Sequence, residues 1–232
     1  MLGFILPAVC LHCNAHIDTR ANRLGVQRYL CADCMLSMRI LLPAAGDDID
    51  DRSFRFRTLH ARTTLHAGFA YTRGNVIQSL VHHSKYASMM RLASHLGNTL
   101  VEQIPDAFAS AELIVPIPLH RTRLAQRGYN QAERIAHGIA ASTGIPVAPP
   151  SLLRRIKQTE TQTNKDRTER EENVKGAFRI RADAADWLRG RSVLLIDDVM
   201  TTGATLASAA AEIDSAGPKA IDVVAFSYAE EA

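Results

Sequence analysis

The sequence predicts an α/β fold, a parallel sheet flanked by helices, with a small N-terminal module built around four cysteines. Three observations predict it. From Leu65 onward, short apolar runs alternate with segments of helical spacing, the pattern of a parallel sheet covered by helices on both faces. Val193-Leu-Leu-Ile196 is apolar without a break, as a central parallel strand should be. All four cysteines lie between positions 10 and 34, in two pairs.

Size and composition set the frame. A chain of 232 residues holds one large domain, or a core domain of roughly 150 residues plus a small module. Apolar residues at 47% and charged residues at 22% allow a sizeable core. The net charge of +3 is no sign of nucleic-acid binding by itself and is compatible with anionic ligands of any kind. The N-terminus is apolar for about ten residues and has no basic flank, which is too short for a membrane span and wrong for a secretory signal. Its flank is also poor for lipid attachment at Cys10. A soluble, cytoplasmic protein with no membrane partner is expected.

The cysteines read Cys10-x2-Cys13, seventeen residues, then Cys31-x2-Cys34. This is the spacing of a four-thiolate zinc ribbon: each x2 turn brings two sulfurs to one tetrahedral ion. Two disulfides are the alternative, disfavoured in a reducing compartment, and a redox role needs only one pair. Four thiolates leave no open position for water, so the expected zinc is structural. His12 and His16 lie within the module, but no gap in the cysteine set calls for them.

Three segments follow: a zinc ribbon at 1–45, a linker and extended arm at 46–63, and the α/β domain at 64–232. The connector carries Pro43, Gly46 and four aspartates, a solvated composition. An acidic metal site there would need a second carboxylate cluster. Residues 52–57 alternate Arg with Ser and Phe, which suits a short strand or an arm. In the domain, strands are expected at 64–72, 113–118, 146–149, 176–181, 193–196 and 220–228. Helices are expected at 74–83, 87–103, 130–143 and 205–215. Between Arg154 and Lys175 a polar, glycine-free run holds seven Lys and Arg against five acids. It reads as a lid or as a solvated helix with i,i+4 ion pairs.

The strongest signal is Val193-Leu-Leu-Ile-Asp-Asp-Val-Met-Thr-Thr-Gly-Ala-Thr205. The strand ends in Asp197 and Asp198, at the sheet edge where ligands of open α/β sheets bind. Thr201, Thr202, Gly203, Ala204 and Thr205 then open a helix. Gly203 permits a tight turn, and successive N–H groups with the helix N-terminus cradle an anion. A plain turn with a threonine cap accounts for one threonine but not for the aspartate pair. A Walker B strand would need a G-x-x-x-x-G-K-[ST] upstream, which the sequence lacks. Upstream, Arg121, Arg123 and Arg127 lead to Gly128, Tyr129 and a helix begun by Asn130. Backbone donors and a guanidinium can converge there on a diphosphate; an exposed basic loop is the equal alternative.

The residue 193–205 stretch resembles the phosphoribosyl pyrophosphate signature of type I phosphoribosyltransferases, and Arg127-Gly-Tyr129 resembles the pyrophosphate loop of the adenine-type enzymes. The whole layout is similar to the ComF family of competence-associated phosphoribosyltransferase-like proteins, including its GntX branch. The features are the four-cysteine module, Tyr71-Thr-Arg-Gly74, Lys85-Tyr86, Val115-Pro-Ile-Pro-Leu119, Arg127-Gly-Tyr-Asn-Gln131, Gln158 to Gln162, Arg170, Asn173, Gly176-Ala-Phe178 and the signature loop. One departure is Ala87-Ser88, where the family more often has Gly-Asp. The resemblance implies a type I phosphoribosyltransferase-like sheet and a Mg²⁺-dependent phosphoribosyl pyrophosphate site, or a site for a nucleoside 5-phosphate. Asp197 and Asp198 would meet the ribose hydroxyls, residues 201–205 the 5-phosphate, and Arg127, Gly128 and Tyr129 the diphosphate. Asp197, Asp198, Lys85 and Arg127 form the expected catalytic set. Two functions follow: transfer of the phosphoribosyl group to an acceptor, often a nitrogenous base, or a non-catalytic sensor or adaptor in DNA uptake. The adaptor would contact a helicase and single-stranded DNA, although 6% aromatic residues give no basic–aromatic stacking array. The acceptor and the oligomeric state are not written in the sequence.

Overall fold

The computed structural model describes residues 8–18, 24–38, 64–158 and 174–229. The connector, the arm at 52–57 and residues 159–173 of the polar run, with Gln162, Arg170 and Asn173, lie outside them. Four strands form one parallel sheet: β1 (Leu65–Tyr71), β2 (Leu113–Pro116), β5 (Ser192–Met200) and β6 (Ala220–Ala229), in the order β1-β6-β5-β2. A separate antiparallel pair joins β3 (Leu153–Arg155) to β4 (Phe178–Ile180). The helices are α1 (Ala32–Leu36), α2 (Val76–His83), α3 (Met90–Gln103), α4 (Arg121–Arg127), α5 (Gln131–Thr143) and α6 (Ala204–Asp214).

The two central strands are those whose sequence is most continuously apolar. Val193, Leu194, Leu195 and Ile196 are fully buried, as are Ile221 and Val223 to Phe226, because helices cover both faces of a parallel sheet. Alternation divides these side chains between two layers. Val115, Val193, Leu195 and Val223 face α6 and the β3–β4 pair. Ile114, Leu194, Ile196 and Phe226 face α2, α3 and α5. In that second layer α3 and α5 approach closely at Gly97 and Gly138, where a Cβ would come within 2.1 Å of the Ile135 carbonyl and 2.0 Å of the Ser94 carbonyl.

The cysteine module shares the second layer. Cys10, Ile17, Val26, Leu30 and Cys34 are buried in one cluster with Leu80, Leu92 and Leu96. His12 Nδ1 lies 3.0 Å from Ser79 Oγ of α2, and the Tyr29 and His95 rings meet at 5.9 Å.

Three local expectations need correction. The strand at 193–196 continues to Met200, because pairing with β6 runs on through Val199–Ser227 and Met200–Tyr228. The strand at 146–149 reduces to a single parallel bridge between Val147 and Ile114, since prolines at both ends cannot donate to a ladder. The basic loop before Gly128 is largely the helix α4. His120 accepts from the Thr122 N–H at its start, and its sequence carries no Gly or Pro to break it. Gly128 ends it at φ +81°, the left-handed conformation glycine adopts without strain.

Candidate functional site

The site gathers at the carboxyl edge of β2 and β5. Asp197 and Asp198 stand in the carboxyl-terminal half of β5, half-buried. Asp197 Oδ1 accepts from the Asp198 N–H at 2.9 Å, and Asp198 Oδ1 from the Val199 N–H at 2.9 Å. Burial pushes the Asp197 carboxyl well above the usual carboxylate range, and the adjacent Asp198 charge pushes the same way. The Asp198 N–H and the Arg155 guanidinium act against this shift.

Beyond the pair, Gly203 at φ +77° is the cap residue of α6 and makes no side-chain cap bond itself. Thr202 Oγ1 accepts a long bond from the Ala204 N–H, 3.4 Å; Thr201 is exposed. The α6 N-terminus therefore presents backbone donors directly after two carboxylates. A second helix end lies near it. Asn130, the cap residue of α5, spends its Nδ2 on the Ile117 carbonyl at 2.9 Å and makes no cap bond.

The structure brings the two basic turns together. Tyr129 Oη donates to the Tyr86 carbonyl at 3.3 Å, and a Cβ at Gly128 would stand 3.9 Å from Ala87 Cβ. The turn carrying Lys85 therefore abuts the turn carrying Arg127. Burial raises the Tyr129 phenol to about 12, opposed by the Arg127 and Arg134 charges and assisted by Asp198, so this turn also lies within the field of the aspartate pair.

Two contributors had been given no individual role by the sequence. Arg127 donates to Gln131 Oε1 at 2.7 Å, while Gln131, buried, leaves its Nε2 without a partner among the described residues. A buried amide donor without an acceptor costs about 1–3 kcal/mol, which a ligand oxygen beside Arg127 would offset. Arg155, on β3, lies over the Phe178 ring at 5.5 Å and within the field of Asp197. Its only sequence signal was a pair of arginines after Leu152-Leu153. Next to it a cleft of about 560 Å³ opens between the end of β2, α4, α5 and β3.

The four cysteines converge as their spacing predicts. All are free thiols, their Sγ atoms within 4.8 Å of one another, with Cys13 and Cys31 at 3.6 Å. That distance excludes a disulfide there and matches the edge of a tetrahedron with Zn–S bonds of about 2.3 Å, whose edges are about 3.8 Å. Burial raises the Cys10 thiol, but N–H groups of Cys13, Cys31 and His12 aimed at the sulfur bring it down to about 6. The donor set fits a metal ion such as zinc, which Cys10, Cys13, Cys31 and Cys34 would hold.

A parallel sheet flanked by helices, an aspartate pair at its carboxyl edge and a glycine-capped helix N-terminus after it define a phosphoribosyltransferase-like protein. Residues 125–231 match the phosphoribosyl transferase domain family. Over 209 residues the chain is 26% identical to Competence protein F of Haemophilus influenzae, covering 85% of this chain and 86% of that one. It is 30% identical over 136 residues to DNA utilization protein YhgH of Salmonella typhi, covering 56% of this chain and 58% of that one. Competence protein ComFC of Bacillus subtilis is 36% identical over 119 residues, 50% of this chain and 43% of that one. These relatives and the domain match support a ComF-family phosphoribosyltransferase-like protein. No helix among the described residues is long and apolar enough to cross a membrane.

Proposed function

We propose that the protein binds phosphoribosyl pyrophosphate with Mg²⁺ at the carboxyl edge of β5 and transfers the phosphoribosyl group to a nitrogenous acceptor. The observation that carries this reading is Asp197–Asp198 followed by Gly203 as the cap residue at the N-terminus of α6. The N–H groups and hydroxyls of residues 201–205 hold the 5-phosphate, and Asp197 and Asp198 accept from the ribose hydroxyls. Arg127 and Lys85 take the diphosphate, with Gln131 Nε2 as a further donor. The C1–diphosphate bond breaks with its electron pair leaving on the diphosphate, and an acceptor lone pair forms the new bond to C1. The protein's part is positioning and stabilisation of the departing charge. The carboxylate oxygens of Asp197 and Asp198 suit Mg²⁺, a hard ion that takes oxygen ligands and supplies charge neutralisation to the diphosphate when bound. Isothermal titration with phosphoribosyl pyrophosphate and Mg²⁺ tests the reading. Saturable heat that vanishes in Asp198→Ala supports it; no binding at millimolar ligand overturns it.

A second reading, an adaptor that senses a phosphoribosyl compound without turning it over, draws on the competence and DNA-utilization names of the relatives. It also draws on Leu24 and Leu36 of the cysteine module, 69% and 86% exposed, which a helicase or other protein partner could cover. Pyrophosphate release across a panel of bases separates the two. Release with one base favours transfer; no release, with single-strand binding that falls steeply with salt, favours the adaptor.

A further inference from the structure

We propose that the cleft between α4 and β3 receives the acceptor and that it selects a planar ring bearing an acidic group, a heterocyclic carboxylate rather than a neutral base. The inference rests on the reading above that the adjoining edge takes phosphoribosyl pyrophosphate.

Position comes first. Pro116, in the cleft wall, is in register with Ile196, the residue before Asp197. Asn130, also in the wall, precedes Gln131. Arg155 of the wall lies in the field of Asp197. A ring seated in the cleft therefore borders the carboxylates assigned to the ribose.

Size and wall chemistry narrow the class. A volume of about 560 Å³ lies within the roughly 300–1,000 Å³ typical of small-molecule sites and suits a compact ring system. Pro116, Leu119 and Leu124 offer flat apolar surface, which favours a ring face. Against it stand Arg121 and Arg154, neither with an ion pair among the described residues, and Arg155 beside them. Glu133 is the only carboxylate among the described residues of the lining, and it stands 3.9 Å from His137 Nε2. Arg121 and Arg154 against the one carboxylate, Glu133, leave positive charge in excess among the described residues of the lining, and a guanidinium matches a carboxylate with two parallel hydrogen bonds. A neutral base would bury polar groups of the wall without answering that charge, so the site discriminates against it.

The same arginines could serve the diphosphate instead, and the experiment separates the two. Full-length, zinc-loaded protein is titrated with orotate against uracil and nicotinate against nicotinamide, pairs that differ in the acidic group. Each titration is run alone, with saturating Mg²⁺-phosphoribosyl pyrophosphate, and with inorganic pyrophosphate as competitor. At least one carboxylate should bind roughly tenfold to a hundredfold tighter than its neutral partner, the range that one charged hydrogen-bonded contact supplies. Arg121→Gln and Arg154→Gln should erase that preference, leave the neutral partner unaffected and bind phosphoribosyl pyrophosphate as before, which also reports that they fold. Equal binding within both pairs, no carboxylate binding at millimolar concentration, or displacement of the carboxylate by pyrophosphate overturns the inference. If phosphoribosyl pyrophosphate binds while the pairs bind alike, the cleft assignment falls and the parent reading stands. If it fails to bind while the charge preference appears and is lost in Arg121→Gln, the parent reading falls, the acceptor role falls with it, and the cleft stands only as a site for heterocyclic carboxylates.

Discussion

Tyr129 Oη donates to the main-chain carbonyl of Tyr86 at 3.3 Å across 43 positions of sequence, and this bond joins the turn carrying Arg127 to the turn carrying Lys85. The phenol is buried, which raises it to about 12. Tyr129→Phe keeps the ring in place and removes only the donor. We expect a loss of about 0.5–1.5 kcal/mol in urea unfolding, the net value of one intramolecular hydrogen bond, with weaker phosphoribosyl pyrophosphate binding because the two basic turns are no longer tied. An alkaline absorbance titration should show one tyrosine ionising near pH 12 in the native protein and missing from the variant. Unchanged stability and affinity would assign the bond no role.

Asp197 sets a pH dependence with a definite sign. Its folded pKa is raised, chiefly by burial and then by Asp198. A carboxyl raised above its unfolded value of about 3.9 contributes stability that is fully present below that value and is lost as pH rises through the folded pKa. Asp197→Asn has no such loss and can keep the acceptor for the Asp198 N–H. The variant should therefore melt higher than wild type at neutral and alkaline pH, the gap closing as pH falls toward 4. Its phosphoribosyl pyrophosphate binding should weaken, since the charge that would accept the ribose hydroxyls is gone. Thermal melts across that pH range decide it; a variant melting lower than wild type at pH 8 contradicts the assignment.

How much of this was legible in the sequence depends on range. Val193 to Ile196 and the two cysteine pairs carry their structure locally, in unbroken apolarity and in fixed spacing, and both formed as expected. The helix α4 was missed because arginines flanking a glycine read as a basic loop, whereas that run propagates a helix until Gly128 stops it. The roles of Gln131 and Arg155 were not legible for another reason. Their importance lies in their surroundings, a buried amide with an unpartnered Nε2 beside Arg127 and a guanidinium in the field of Asp197, and burial and long-range fields are set by packing between distant segments. The pairing of β3 with β4 is of the same kind, since the polar residues between them give no register.

The contact of α3 with α5 depends on two glycines facing each other's backbone. A Cβ at Gly97 would lie 2.1 Å from the Ile135 carbonyl oxygen, and one at Gly138 2.0 Å from that of Ser94. Neither clash can be relieved by rotating a side chain, so the helices must separate. Gly97→Ala and Gly138→Ala should each cost about 1–3 kcal/mol, despite alanine's better helix propensity. Because one separation relieves both clashes, the double variant should cost clearly less than the sum. Since α5 begins at Gln131, the same displacement should weaken ligand binding. Additive costs would mean that the two contacts yield independently.

Zinc removal tests whether the cysteine module is a detachable staple. Cys10 and Cys34 are buried in one cluster with Leu80 of α2 and Leu96 of α3, and His12 and Tyr29 reach Ser79 and His95 across the boundary. Ligand thiolates released by a chelator are charges or bare thiols inside a shared core, so the disturbance should not stop at the module. One zinc per chain should be found by elemental analysis, and Cys10→Ser should lower that occupancy. On chelation, hydrogen exchange should accelerate in residues 8–38 and also in α2 and α3, with a lower melting temperature for the whole chain. Phosphoribosyl pyrophosphate affinity should fall with it, because α2 runs directly into the Lys85 turn that Tyr129 holds. Exchange that accelerates in residues 8–38 alone, with affinity unchanged, would make the module a local staple and uncouple it from the site.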